Sequence, residues 1–126
     1  MAGVKTVLKL THTDATVKVT GTTANDTATI GVDSDLKLSS DVTTGAAWDV
    51  TIEKMLWSNS PVAGAYMTVV RNSELIAQLF SSGEMDLSAK GMADDRQSGK
   101  DIVVTFIGGS GGVIYLKFKK RTGYGD

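Results

Sequence analysis

The sequence predicts an all-β fold, an antiparallel β-sandwich or barrel of about 8–10 short strands with little helix. Three observations lead there. Polar and apolar residues alternate with period two along most of the 126 residues, as strands do when one face meets a core and the other meets water. Threonine and valine are abundant, and β-branched side chains fit a pleated, half-buried surface. Aspartate far outnumbers glutamate and there are 14 glycines; both choices favour turns over helix interiors.

The first strand is expected to place Val4, Thr6, Leu8 and Leu10 on one face and Lys5, Lys9 and Thr11 on the other. His12 to Asp14 breaks that run, and Ala15, Val17 and Val19 resume it against Thr16 and Lys18. Gly21 to Asp26 reads as a turn, because its glycine, threonines, asparagine and aspartate bend or bond the local backbone. Ala28, Ile30 and Val32 alternate with threonine and glycine, and Leu36 and Leu38 keep the same parity beyond Asp33-Ser34-Asp35. Trp48, Val50 and Ile52 then alternate against Asp49, Thr51 and Glu53. Met55-Leu56-Trp57 shifts the phase, which predicts a bulge or a strand covered on both faces. Asn59-Ser60-Pro61 ends the run.

Ala65 to Arg71 and Leu75 to Phe80 read as paired strands across Asn72-Ser73. A short helix over Ser73 to Phe80 also fits the spacing of Leu75, Leu79 and Phe80, but the β character of the neighbouring segments favours the strand. Ser81 to Lys100 carries Gly83, Gly91, Gly99 and a polar run from Asp94 to Ser98. It reads as a long surface loop in which Met85 and Leu87 mark a short edge strand. Ile102, Val104 and Phe106, the loop Gly108 to Gly112, and Ile114, Leu116 and Phe118 read as a hairpin closed by glycines. With no internal repeat and no linker, residues 1–126 make one domain, with an N-terminal arm over 1–7 and a flexible tail over 120–126.

The net charge is −1 and the pI about 5.7, so no overall field draws the chain to DNA or to an acidic membrane. Neither nucleic acid nor membrane is expected as a partner. The absence of cysteine excludes disulfides and thiolate metal sites and suits folding in a reducing cytoplasm. The opening MAGVKTVLKL alternates instead of forming the apolar stretch of a signal peptide. No apolar run approaches the roughly 20 residues of a membrane-spanning helix.

The residues that carry chemistry are sparse. His12 is the only histidine, and the chain lacks both a G-x-S-x-G elbow and an H-E-x-x-H pair. His12 therefore reads as a turn residue, and neither enzymatic activity nor a cofactor is expected. Asp33 and Asp35, with Asp41 nearby, are weak metal candidates, since hard cations take several oxygen ligands. No EF-hand register follows them, and a hydrated turn bonding its own amides is the simpler reading. Gly108 to Gly112 lacks the lysine and the following helix of a phosphate loop. Lys117, Lys119, Lys120 and Arg121, joined by Tyr115 and Tyr124, form a basic strip. Such a strip can grip single-stranded nucleic acid, but lysines that keep an edge strand from pairing with other molecules explain it more simply. Trp48, Trp57, Tyr66 and Tyr115 offer a carbohydrate platform if the bulge brings the two tryptophans to one side, although core packing is the commoner use of such rings.

The succession KTVLKLTHTDATVKVTG, a polar turn, TIGVDSDLKL, and the close DIVVTFIGGSGGVIYLKF ending in TGYGD resembles small virion structural proteins of tailed bacteriophages, cyanophages among them. The resemblance lies in strand rhythm over most of the chain and is closest to capsid decoration, or cement, proteins. It implies a non-enzymatic protein at the capsid surface of the virion, assembled in the host cytoplasm. Such a protein binds the major capsid protein, stabilises the shell and self-associates as a homo-oligomer, often a trimer. The contact elements would be the arm Met1 to Val7, the loop Ser82 to Gly99 and the tail Lys119 to Asp126. They contain Val4, Lys5, Asp94, Asp95, Arg96, Lys119, Lys120, Arg121 and Tyr124, and Trp48 and Trp57 add aromatic contacts. The alternatives are a tail or head–tail connector component and a carbohydrate-binding β-sandwich module.

Overall fold

The computed structural model describes residues 3–11, 13–22, 25–31, 35–36, 49–59, 64–71, 74–86, 101–108 and 111–121. Among them the chain forms nine strands and no helix: β1 (Val4–Leu10), β2 (Asp14–Gly21), β3 (Thr27–Ile30), β4 (Asp49–Asn59), β5 (Tyr66–Arg71), β6 (Glu74–Phe80), β7 (Ser82–Asp86), β8 (Ile102–Ile107) and β9 (Gly112–Arg121). They build a β-sandwich. One sheet has the order β1-β2-β9-β4-β7, the other β3-β8-β5-β6, and every pairing is antiparallel.

Period-two patterning accounts for the layers. Ala15, Val17 and Val19 of β2, Ile114, Leu116 and Phe118 of β9, and Val50, Ile52 and Met55 of β4 point inward from the larger sheet. Ala28, Ile30, Met67, Val69, Ile102, Val104 and Phe106 meet them from the smaller one. Burying these alternate side chains removes apolar surface from water and holds the sheets together. The expected phase change in β4 is present, centred on Glu53: Ile52 pairs with Phe118 and Lys54 with Lys117. That extra residue moves the inward set from even to odd positions, so Val50, Ile52, Met55 and Trp57 share a face. β5 and β6 form the expected hairpin, with a register shift between Val69 and Val70.

The glycine loop is an arch and not a hairpin turn. β8 pairs with β3 and β5, whereas β9 pairs with β2 and β4, so Gly108 to Gly112 carries the chain from one sheet to the other. Alternation cannot separate these two outcomes, because inward residues of two runs meet a common core whether the runs lie side by side or face to face. Five residues readily cross the roughly 10 Å between packed sheets. Gly108 and Gly111 have φ of 68° and 90°, conformations that glycine adopts without steric cost. In consequence β9 is the central strand of its sheet, and the edge-strand explanation of Lys117 and Lys119 is replaced.

Two further expectations are corrected. β1 has a register shift between Val7 and Lys9, so Lys5 opposes inward Val19 while Lys9 opposes outward Thr16, and the single polar face does not form. Leu36 lies in a turn whose amide bonds Gly31 O, and is buried there without belonging to a strand. The short edge strand expected at Met85 is present as β7, at the edge of the larger sheet, while Leu87 lies outside the described residues.

Candidate functional site

His12, Asp33, Trp48, Asp94, Asp95, Arg96 and Tyr124 lie outside the described residues, and for Lys120 and Arg121 the description covers the backbone, at the end of β9. The remaining sequence candidates fall on different surfaces. Asp35 Oδ2 accepts from Lys5 Nζ at 2.6 Å and from Gly31 N at 2.8 Å. This carboxylate thus bonds an amide of its own turn and a lysine. Among the described residues no group of three His, Cys, Asp or Glu side chains converges as metal ligands would.

Lys5 also has a structural task. Its ammonium donates to Thr29 O at 2.7 Å, and Gly3 N donates to Thr27 O at 2.9 Å. These are the carbonyls on the side of β3 away from β8, so β1 closes the edge of the facing sheet. The strand that does this is itself poorly covered: six of its seven residues are exposed, among them Val4 at 61% and Leu8 at 52%. Val4 to Val7 belong to a paired strand, so the N-terminal arm lies along the sheet from Gly3 onward.

Trp57 clamps the β6–β7 arch. Its indole N–H donates to Phe80 O at 3.0 Å, and its ring packs over Gly83, where a Cβ would stand 3.1 Å away. Asn59 Nδ2 donates to Leu79 O and Ser81 O, both at 3.0 Å, while Asn59 N donates to Ser81 O at 2.8 Å. These bonds fix Ser81 at a φ of 55°, which allows the chain to change sheets across one residue. Trp57 thus packs toward the core, Tyr115 projects from the larger sheet and Tyr66 from the smaller one. The three described aromatics of the expected carbohydrate platform do not share a surface.

The two outer faces differ sharply in chemistry. On the larger sheet the cross-strand rows read Thr6–Lys18–Tyr115–Leu56–Glu84 and Lys9–Thr16–Lys117–Lys54–Asp86. Opposite charges pair within this face: Lys117 with Glu53 at 3.2 Å, Lys54 with Asp86 at 3.5 Å, and Lys9 with Asp14 at 3.3 Å. Lys18 Nζ lies 5.8 Å from the Tyr115 ring centroid, within cation–π range. A groove of about 460 Å³ runs between Tyr115, Leu56 and the flanking Lys54, Lys117, Glu84 and Asp86. Burial pushes the Asp14 carboxyl up, but the Thr11 hydroxyl and then the Lys9 and Lys117 ammonium groups outweigh it and hold it below its ordinary value.

On the smaller sheet the rows read Ile107–Tyr66–Phe80, Thr27–Thr105–Thr68–Gln78 and Thr29–Val103–Val70–Leu75. None of these positions is Lys, Arg, Asp or Glu. Leu75 and Phe80 are 55% and 56% exposed, and Phe80 stacks on Tyr66 with ring centroids 5.4 Å apart. Sequence reasoning missed this face. Its signal was the uncharged alternate positions of Tyr66 to Phe80 and of Val103, Thr105 and Ile107, visible once those runs are placed side by side.

No family model matches the chain, and no curated protein matches it. Among solved structures it is similar to dimeric latent PorU from Porphyromonas gingivalis, at 8% identity and a TM-score of 0.34, over 96% of this chain and 14% of that one. A likeness at this level carries no argument about function. What the described residues establish is a β-sandwich with one charge-paired face, one uncharged face and an exposed edge strand.

Proposed function

We propose that this is a non-enzymatic structural protein that works by binding other protein surfaces, as a virion component of the capsid decoration type. It would bind the major capsid protein and stabilise the shell. The single observation that supports this reading is β1, a strand with six of seven residues exposed and with Val4 and Leu8 largely bare. A strand edge with bare apolar residues beside it is what strand addition by a partner uses, main-chain bonds giving affinity and side chains giving selectivity. Weak contacts of this kind suffice on a shell, because display over a lattice multiplies them.

Mass spectrometry of purified particles tests the reading first. A decoration protein is present in simple ratio to the shell protein, a connector or tail component at far lower copy number, and absence from mature particles refutes both. Cosedimentation with undecorated shells tests the surface. Replacing Val4 and Leu8 together by aspartate removes two contacts of roughly 1.5 kcal/mol each and weakens binding by about 100-fold. Unchanged binding refutes β1 as the contact.

A further inference from the structure

The groove on the outer face of the larger sheet has an apolar floor and unbalanced charge. We infer that its β7 end receives an arginine side chain of a protein partner, the stem lying over Leu56 and the guanidinium held by Glu84. This goes beyond the shell-binding reading. β7 is the opposite edge of the sheet from β1, and the contact is made on the face by a side chain, without strand addition.

Charge selects the occupant. Lys54 is matched by Asp86 at 3.5 Å and Lys117 by Glu53 at 3.2 Å. Glu84 is exposed and stands in no ion pair among the described residues. For two ammonium groups the groove and its rim therefore hold three carboxylates, Glu53, Glu84 and Asp86. An anion entering here would meet lysines already paired and a carboxylate that repels it, whereas a cation meets an open partner. Lys18 does not cancel Glu84. Its ammonium lies over the Tyr115 ring, 5.8 Å from the centroid. β2 stands three strand spacings from β7, about 14 Å, which exceeds the screening length of about 8 Å at physiological ionic strength.

Shape selects arginine. The groove of about 460 Å³ falls in the size range of small-ligand sites. The β4 bulge turns Leu56 outward, 49% exposed, between Tyr115 and Glu84 in one cross-strand row. Neighbours in such a row stand about 5 Å apart, so an aliphatic stem resting on Leu56 carries its head group to Glu84. Long basic side chains bury their stems along apolar surface in this way. A guanidinium bonds a carboxylate through two parallel N–H donors and stacks on aromatic rings, while an ammonium is a more strongly hydrated point charge.

NMR titration of the full chain with a blocked glycine–arginine–glycine tripeptide tests this. Amide shifts are expected at Leu56, Glu84 and Tyr115, saturating with a dissociation constant of about 1 mM, and the lysine counterpart binds more weakly. Replacing arginine by citrulline, its uncharged isostere, is expected to weaken binding at least about fivefold, as is Glu84→Gln. The citrulline peptide is indifferent to Glu84→Gln, because the contact is already lost. Glu84 is exposed and unpaired, so this variant keeps the fold. Lys18→Gln does not weaken binding. No saturation by about 20 mM, citrulline or lysine binding as tightly as arginine, or full binding by Glu84→Gln overturns the inference, as do shifts confined to the smaller sheet. The peptide is measured without shells, so failure of this site and failure of the β1 contact are read separately.

Discussion

Gly21 offers the sharpest test of how the two sheets are joined. It ends β2 directly beneath the Phe106 ring, and a Cβ added there would stand 2.5 Å from Cδ2 and 2.7 Å from Cγ. Phe106 is 1% exposed and belongs to the core, so the ring has no solvent to move into. Gly21 does not have a positive φ, so Gly21→Ala brings no backbone strain and its effect is purely steric. Overpacking of a filled core by one methyl costs about 1–3 kcal/mol, and a contact this short belongs at the top of that range. For a chain of this length the melting temperature should fall by roughly 3–5 °C for each kcal/mol, about 10 °C in all. Phe106→Leu alone removes ring volume and is expected to cost about 1–2 kcal/mol. In the double variant the smaller side chain leaves room for the new methyl, so the two costs should fall short of their sum by about 1 kcal/mol or more. Denaturant and thermal unfolding of the four proteins measure the cycle. A Gly21→Ala protein within about 0.5 kcal/mol of the parent, or strict additivity, would falsify the packing argument.

The Asn59 clamp and the Asp14 turn give two further expectations. Asn59→Ala removes the Nδ2 bonds to Leu79 O and Ser81 O and should cost about 1–2 kcal/mol, with faster amide exchange concentrated in β6 and β7; uniform loss of protection across both sheets would argue against a local clamp. The Asp14 carboxyl should titrate below its ordinary value of about 3.9, and Thr11→Val, which removes the donor to Oδ1 at 3.0 Å, should raise that midpoint. Because the folded value is depressed, the stabilisation is present above the unfolded value and disappears as pH falls through the folded one; a carboxyl NMR titration with a midpoint above that of a model peptide would contradict it.

The fold was largely legible because a single rule, alternation against a core, governs most of the chain. It located β2, β5, β8 and β9 and the phase change in β4. It failed where two arrangements obey the same rule. Ile102 to Phe106 and Ile114 to Phe118 present inward side chains identically in a hairpin and in an arch, and only their long-range pairing with β5 and β4 separates the two. β1 misled for a different reason. Its alternation is interrupted by a bulge that leaves no local signature beyond the adjacent Val7 and Leu8. The candidate site was less legible still, because an outer face exists only after strands distant in sequence are set side by side. Tyr66, Thr105 and Gln78 carry no motif, and their shared lack of charge becomes visible only through register.

The four sheet edges differ in how open each is to a further strand. The outward carbonyls of β3 are occupied by Gly3 N and Lys5 Nζ, so that edge accepts no further strand there. β7 is short and carries Glu84 and Asp86, and charge on a short edge discourages pairing with strangers. β1 is the exception: it is long, exposed and apolar at Val4 and Leu8, yet its bulge after Val7 restricts flat pairing to the first part of the strand. β6 remains, and it borders the uncharged face through Leu75 and Phe80. An unprotected sandwich would polymerise through any edge. With β3 sealed and β7 charged, strand addition is restricted mainly to the first part of β1 and to β6, which fits the β1 contact proposed above.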